Sequence, residues 1–212
     1  MVFQTFARLA IDGLDATRYV AEMGEDKWIH RKSLDIPWDA HYLTFSCFGR
    51  QPFFNGRQSP GWFLELLERA RVKVGFDLWG FVVMPEHVHL ILLPHEGVLI
   101  RTILSRIKEP LARRVLGWVH KNSPAFLSRM SDRQPGGKTT YRFWQRGGGY
   151  DRNLRSTHDV HEKLNYVHQN PVLRGLVTQP GDWPWSSWRA WETGTDDPIR
   201  IDRETFPILR KH

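Results

Sequence analysis

Cysteine is nearly absent from this chain: of 212 residues, Cys47 stands alone. A disulfide framework or a cysteine-based zinc site is therefore excluded, and a reducing cytosol is the expected setting. No apolar run approaches the roughly 18–20 residues that a membrane-spanning helix needs, so no membrane partner is expected. The first residues, "MVFQTFARLAIDGLD", lack a basic start followed by a long apolar core and do not read as a signal peptide. Internal repeats and low-complexity tracts are missing too. Acidic residues are scarce in one place: Arg101 to Arg155 holds 13 Lys and Arg against 3 Asp and Glu. That segment is at +10 in a chain of net charge +7, which leaves the remainder at −3. A basic middle in a slightly acidic frame suits a polyanion, most simply nucleic acid, or else a solvated basic face.

What remains is ordinary for one globular domain: 41% hydrophobic and 25% charged residues. Residues 1–37 read as an N-terminal extension, 38–190 as the domain and 191–212 as a C-terminal tail. From His41, "HYLTFSCF" alternates as a strand does. "PGWFLELLERARVKVG" has helical spacing and a terminal glycine. "DLWGFVVM" and "HVHLILLP" read as two strands joined at Pro85–Glu86. In "LIRTILSRIKEPLARRVLGWV", Ile100, Ile103, Leu104, Ile107, Leu111 and Val115 form an apolar helical stripe. Pro110 should kink or divide that helix. Residues 120–140 read as a long polar loop, and "YRFWQRGGGYDRNL" as a strand bent at Gly147–Gly149. A last helix opens with Ser156 and Asp159, a capping-box spacing, and should end at Asn170, because Pro171 follows. Strand, helix, strand, strand, helix, strand, helix implies an α+β domain with an antiparallel sheet. Trp residues gather in "DWPWSSWRAW", where packing of the C-terminal segment is the reading preferred over base stacking.

Two stretches carry candidate chemistry. In a strand, residues i and i+2 share a side, so His87 and His89 project together while Val88, Leu90 and Leu92 face a core. Paired imidazoles can hold one divalent cation. On the last helix, Val160, Leu164 and Val167 form an apolar stripe; Asp159, Lys163, Tyr166 and Asn170 form a polar one. An amide oxygen at Asn170 can serve as a hard metal ligand, and the Tyr166 phenol one turn away as a nucleophile. An unperturbed phenol is almost wholly protonated at neutral pH, so it needs help; Lys163 offers nearby positive charge. Candidate phosphate contacts are Arg101, Arg106, Lys108, Arg113 and Arg114 on the second helix, then Arg142, Arg146, Arg152 and Arg155.

"VMPEHVHLILL" and "LNYVHQNPVLRGLV" together resemble the HUH single-tyrosine transposases of bacterial single-strand insertion sequences, in particular the REP-associated tyrosine transposases. "YRFWQRGGGYDRNL" and "DWPWSSW" also look like segments of that family, so the resemblance runs from about His41 to Trp188. It implies a ferredoxin-like, RRM-like sheet and a Mg²⁺ or Mn²⁺ ion. It matches His87, His89 and Asn170 to the metal ligands and Tyr166 to the nucleophile. It further implies nicking and rejoining of single-stranded, hairpin-containing DNA through a 5′-phosphotyrosine, by a chain complete as a monomer. A dimer that exchanges tyrosine helices is the alternative. Glu86 stands where the family commonly has Asn, and on a strand it would face away from the metal. Domesticated members act on repeated genomic hairpins, so a single-stranded nucleic-acid binder remains the alternative function. A metal nuclease that activates water is a third.

Overall fold

The computed structural model describes residues 39–209; the extension read at 1–37 lies outside them, as do residues 210–212. Four strands form one antiparallel sheet: β1 (Ala40–Ser46), β2 (Phe76–Val83), β3 (His87–Pro94) and β6 (Tyr150–Leu154), in the order β2-β3-β1-β6. Helix α1 (Gln58–Ala70) connects β1 to β2, and α2 (Ile100–Asn122) follows β3. This order and these directions make the split βαβ arrangement of the ferredoxin-like fold, as expected.

Alternation sorts each strand onto two faces. Leu43 and Phe45 of β1, with Val88, Leu90 and Leu92 of β3, pack against α1 and α2 in the larger core. Tyr42 and Ile91 face the other way, towards α3 (Thr157–Leu173), whose Val160, Leu164 and Val167 seal that side. A shift of register between Leu78 and Gly80 keeps β2 in step, so that Trp79 and Val82 also reach the second face. Gly80 is required by this packing: a Cβ there would lie 2.5 Å from Leu164 Cδ1. Gly149, at φ +95° just before β6, lies so close to β1 that a Cβ would meet the Thr44 carbonyl at 2.2 Å.

Three readings need correction. Of the two courses expected at Pro110, a kink or a division, the division does not occur: α2 runs on to Asn122. The proline's missing N–H costs the Arg106 carbonyl a partner, but the buried stripe from Ile100 to Val119 continues across it. Nor does the last helix end at Asn170: it passes through Pro171 to Leu173, and the Arg174 N–H donates to the Asn170 carbonyl at 3.0 Å. Burial of Val167 and of Pro171 itself outweighs the one hydrogen bond that the proline removes. Finally, the loop 120–140 is not structureless, and the strand after it is not continuous. A 3-10 segment (Pro124–Met130) precedes a small ribbon of β4 (Ser131–Arg133) and β5 (Thr139–Tyr141), and β6 starts only at Tyr150. Buried Leu127 and Met130 anchor the first part, and Asp132 binds both Arg142 and Arg146.

The C-terminal tryptophans do pack. Residues 183–187 run along the edge of β2, with Val83 N–H donating to the Trp185 carbonyl and Ser187 N–H to the Phe81 carbonyl. The indoles of Trp183 and Trp191 donate to the carbonyls of Val83 and Trp79. Beyond the short helix α4 (Trp188–Thr193), Ile201 and Phe206 are buried and Asp202 caps the backbone of Leu78. An otherwise exposed sheet edge is thereby covered. Among the described residues no helix is long and apolar enough to cross a membrane.

Candidate active site

The register of the sheet assembles the site before any helix is added. Thr44 lies opposite His89 and Ser46 opposite His87, so the imidazoles and the side chains of Tyr42 and Thr44 share the face on which α3 docks. His89 is buried, with Nδ1 2.8 Å from both Tyr42 Oη and Thr44 Oγ1. Its Nε2 lies 2.9 Å from His87 Nε2, the rings nearly perpendicular. Desolvation, with the charges of His87, Lys163 and Arg174 adding to it, pushes the His89 pKa well below the ordinary imidazole value. His89 is therefore neutral, which a metal ligand must be.

α3 delivers the remaining groups. Asn170, expected at a frayed end, is instead buried, and its Nδ2 is 3.3 Å from His89 Nε2. Its Oδ1 is buried with no hydrogen-bond partner. Rotating the amide by half a turn would aim that oxygen at the imidazoles; nitrogen and oxygen in an amide are exchangeable in this sense. With the amide so turned, its oxygen and the two imidazole nitrogens would converge on one point, a donor set that fits a divalent cation. Among the described residues no group of three His, Cys, Asp or Glu forms, so the amide is needed to complete a set of three.

One turn before Asn170, the half-buried Tyr166 ring stands 5.7 Å from the His89 ring, centre to centre. Lys163 is only 3% exposed, and its ammonium lies 5.5 Å from the Tyr166 ring and 5.7 Å from that of Tyr42. The ammonium therefore lies near the faces of both phenol rings. One chain supplies all of these groups.

The other predicted cations divide by location. Those of α2 lie across the sheet from the site, because α2 packs on the opposite face. Arg101, Arg106 and Arg113 are exposed there. Arg114 pairs with Glu65 at 2.6 Å and covers the Trp62 ring. Lys108 donates to the Gly147 carbonyl, and burial lowers its pKa to about 8. Arg142 and Arg146 both hold Asp132. Arg152 grips Asp159 of α3 at 2.9 Å, and Arg155 is exposed.

Four residues of the site, Tyr42, Thr44, Glu86 and Arg174, had no clear signal in the sequence. Tyr42 and Thr44 show only the i, i+2 polar spacing of "HYLT", and nothing but the register puts them beside His89. Glu86 does not face the space between the imidazoles; its carboxylate accepts from His87 Nδ1 at 3.0 Å and from Arg174 Nη2 at 2.9 Å. The partners His87 and Arg174 overcome the opposing effect of burial and bring the Glu86 carboxyl down to about 2.

No family model matches the chain. A curated REP-associated tyrosine transposase of Escherichia coli (strain K12) is 29% identical over 128 residues, 58% of this chain and 64% of that protein. A second curated relative, from Haemophilus influenzae and given the same family name provisionally, is 25% identical over 114 residues, 53% of this chain and 59% of its own. The matched part is thus just under two thirds of each relative's length. A solved structure of a REP-associated tyrosine transposase bound to a REP hairpin aligns with a TM-score of 0.58 at 20% identity, covering 75% of this chain and 82% of that one. That likeness concerns the fold. This chain is thus similar in sequence to these two curated REP-associated tyrosine transposases and in fold to the solved one.

Proposed function

We propose that the chain nicks and rejoins single-stranded, hairpin-containing DNA through a covalent 5′-phosphotyrosine at Tyr166. The observation that carries this reading is the juxtaposition of the Tyr166 ring with His89, which lies against both His87 and the Asn170 amide. His87, His89 and Asn170 would hold Mg²⁺ or Mn²⁺, and the chemistry such a cation supplies when bound is polarisation of the scissile phosphate. Three neutral donors add no ligand charge, which favours modest affinity and leaves positions for phosphate oxygens.

The chain's own part begins with Tyr166. Its oxygen attacks phosphorus as the bond to the sugar 3′-oxygen breaks. The 3′-oxygen leaves and takes up a proton, the phenol having given up its own, while the 5′-phosphate of the downstream strand stays on the tyrosine. Lys163 supports the phenolate and then the phosphodiester. Rejoining is the reverse, with a 3′-hydroxyl attacking the phosphotyrosine. Arg152 and Lys163 lie on the site face, whereas Arg101, Arg106, Lys108, Arg113, Arg114, Arg142, Arg146 and Arg155 are proposed to steer or hold DNA away from the chemistry.

A denaturing gel tests the proposal with hairpin DNA labelled on either side of the nick, in Mg²⁺ or Mn²⁺. The 3′-side label should run with the protein and the 5′-side label as a free shortened strand. Tyr166→Phe keeps the ring, so folding and DNA binding should persist while adduct and nicking both vanish. Nicking without an adduct would point to water as nucleophile; hairpin binding with neither would point to a binding protein.

A further inference from the structure

The donor cluster has an outer edge, and two residues outside the proposed ligand set hold it. We propose that Glu86 and Arg174 form a clasp that fixes the tautomer of His87 and places a negative charge behind the cation site. This positioning role rests on the reading of His87, His89 and Asn170 as that site.

Glu86 Oε1 lies 3.0 Å from His87 Nδ1 and 2.9 Å from Arg174 Nη2. A carboxylate can only accept, so the hydrogen on the first of these bonds is on His87 Nδ1. The lone pair of a neutral His87 is then on Nε2, which points inward to His89 Nε2 at 2.9 Å. With His87 neutral, the hydrogen between those two nitrogens comes from His89, and the Asn170 amide, 3.3 Å from His89 Nε2, then turns its oxygen towards that N–H. His89 Nδ1 is then an acceptor, and the hydroxyls of Tyr42 and Thr44 at 2.8 Å can both donate to it.

The two histidines are therefore supported differently. A hydroxyl can donate or accept, so Tyr42 and Thr44 allow His89 to move its proton to Nδ1 and free Nε2 for a cation. His87 has no such freedom, because the opposite tautomer would set a lone pair against a carboxylate. His87 is preset and His89 is adaptable. Charge points the same way. None of the three inner donors is an anion, and Glu86, whose side chain is 14% exposed, touches one donor ring from behind. A carboxylate there raises the basicity of the imidazole towards metal. Arg174 keeps that carboxylate in place and partly offsets its charge. Its own N–H also bonds the Asn170 carbonyl, so the clasp ties the end of α3 to the start of β3.

The test uses the full chain without DNA, with circular dichroism to check that each variant folds. Nitrogen-15 NMR of the histidines in metal-free protein should show His87 protonated at Nδ1. Glu86→Leu should release that preference, whereas Arg174→Met should retain it. Titration with Mn²⁺ alone should show affinity reduced about ten- to a hundredfold in Glu86→Leu, the usual effect of losing an outer-shell partner. Glu86→Gln, which keeps an acceptor but loses the charge, should fall between that variant and the unaltered chain. Arg174→Met should bind at least as tightly as the unaltered chain. An unchanged tautomer with unchanged affinity in Glu86→Leu overturns the proposal. A loss in Glu86→Gln as complete as in His87→Ala also overturns it, because Glu86 would then be a ligand itself. If the unaltered chain takes up no Mn²⁺, the cation reading fails and so does the charge half of the clasp; the tautomer still decides the other half.

Discussion

The two faces of the sheet are made by alternate residues of the same strands, yet they are built on opposite terms. Towards α1 and α2, Leu43, Phe45, Phe81, Val88, Leu90 and Leu92 pack among phenylalanines and aliphatic side chains. Each such burial is worth about 1.5–3 kcal/mol. Towards α3, the same strands bury His89 while the helix buries Lys163, His168 and Asn170. Most of these polar groups have partners within the chain: His168, whose pKa burial lowers to about 3, bonds Ser187 at 2.9 Å. The Asn170 oxygen does not. A buried polar atom without a partner costs free energy. The first face buries a polar group too, but a paired one, His41 against Asp151 at 2.7 Å; its apolar packing carries the stability that lets the other face hold the Asn170 amide, where the chemistry is proposed.

The largest effect is expected at His89. His89→Ala should abolish Mn²⁺ binding and adduct formation together. Its removal leaves the Tyr42 and Thr44 hydroxyls without that acceptor, a cost of about 1–3 kcal/mol, so circular dichroism should still show a folded chain. Normal cleavage by this variant in chelator-treated buffer would break the comparison at its centre.

Leu90 is next in the strand and faces the other way. Leu90→Ala should lower stability by about 2–5 kcal/mol in denaturant melts, with Mn²⁺ affinity of the folded protein unchanged. Gly80→Ala acts between the faces. Its methyl would press on Leu164, two residues before Tyr166, at a cost of about 1–3 kcal/mol. If the added methyl displaces α3, the variant's adduct rate should fall by more than the decrease in folded protein explains; an unaltered rate would mean that the Leu164 side chain alone gives way.

The smallest effect concerns DNA affinity. Replacing Arg101, Arg106 or Arg113 by Ala should reduce the salt dependence of single-strand binding by about 0.7 in slope for each phosphate that the variant no longer neutralises. Cleavage of bound substrate should stay the same, since these residues lie across the sheet from Tyr166. Unchanged slopes for all three would make the α2 surface a solvated face.

The pattern of residues was enough to place the strands and helices, because period 2 and period 3.6 are local properties of a chain. It was also enough to bring His87 beside His89 and to set Tyr166 one turn before Asn170, since each pair belongs to one element. Local rules failed where packing overrode them. Pro110 and Pro171 sit inside helices because buried neighbours hold the helical course. The ribbon at 131–141 is tied down by one aspartate, Asp132, shared by arginines ten and more residues away in sequence.

Tertiary structure alone decided what joins the two pairs. The register of β1 against β3 put Tyr42 and Thr44 on His89, and nothing in "HYLT" states which strand it will pair with or in what frame. The absence of a side chain at Gly80 leaves room for Leu164 on the helix that also carries Asn170. The route of the chain after α3 brought Arg174 back to Glu86. Local sequence fixes what a residue can do and which neighbours along its own element share its face. Which groups meet across elements depends on register and close approach, and these are set only when the whole sheet and its helices pack at once.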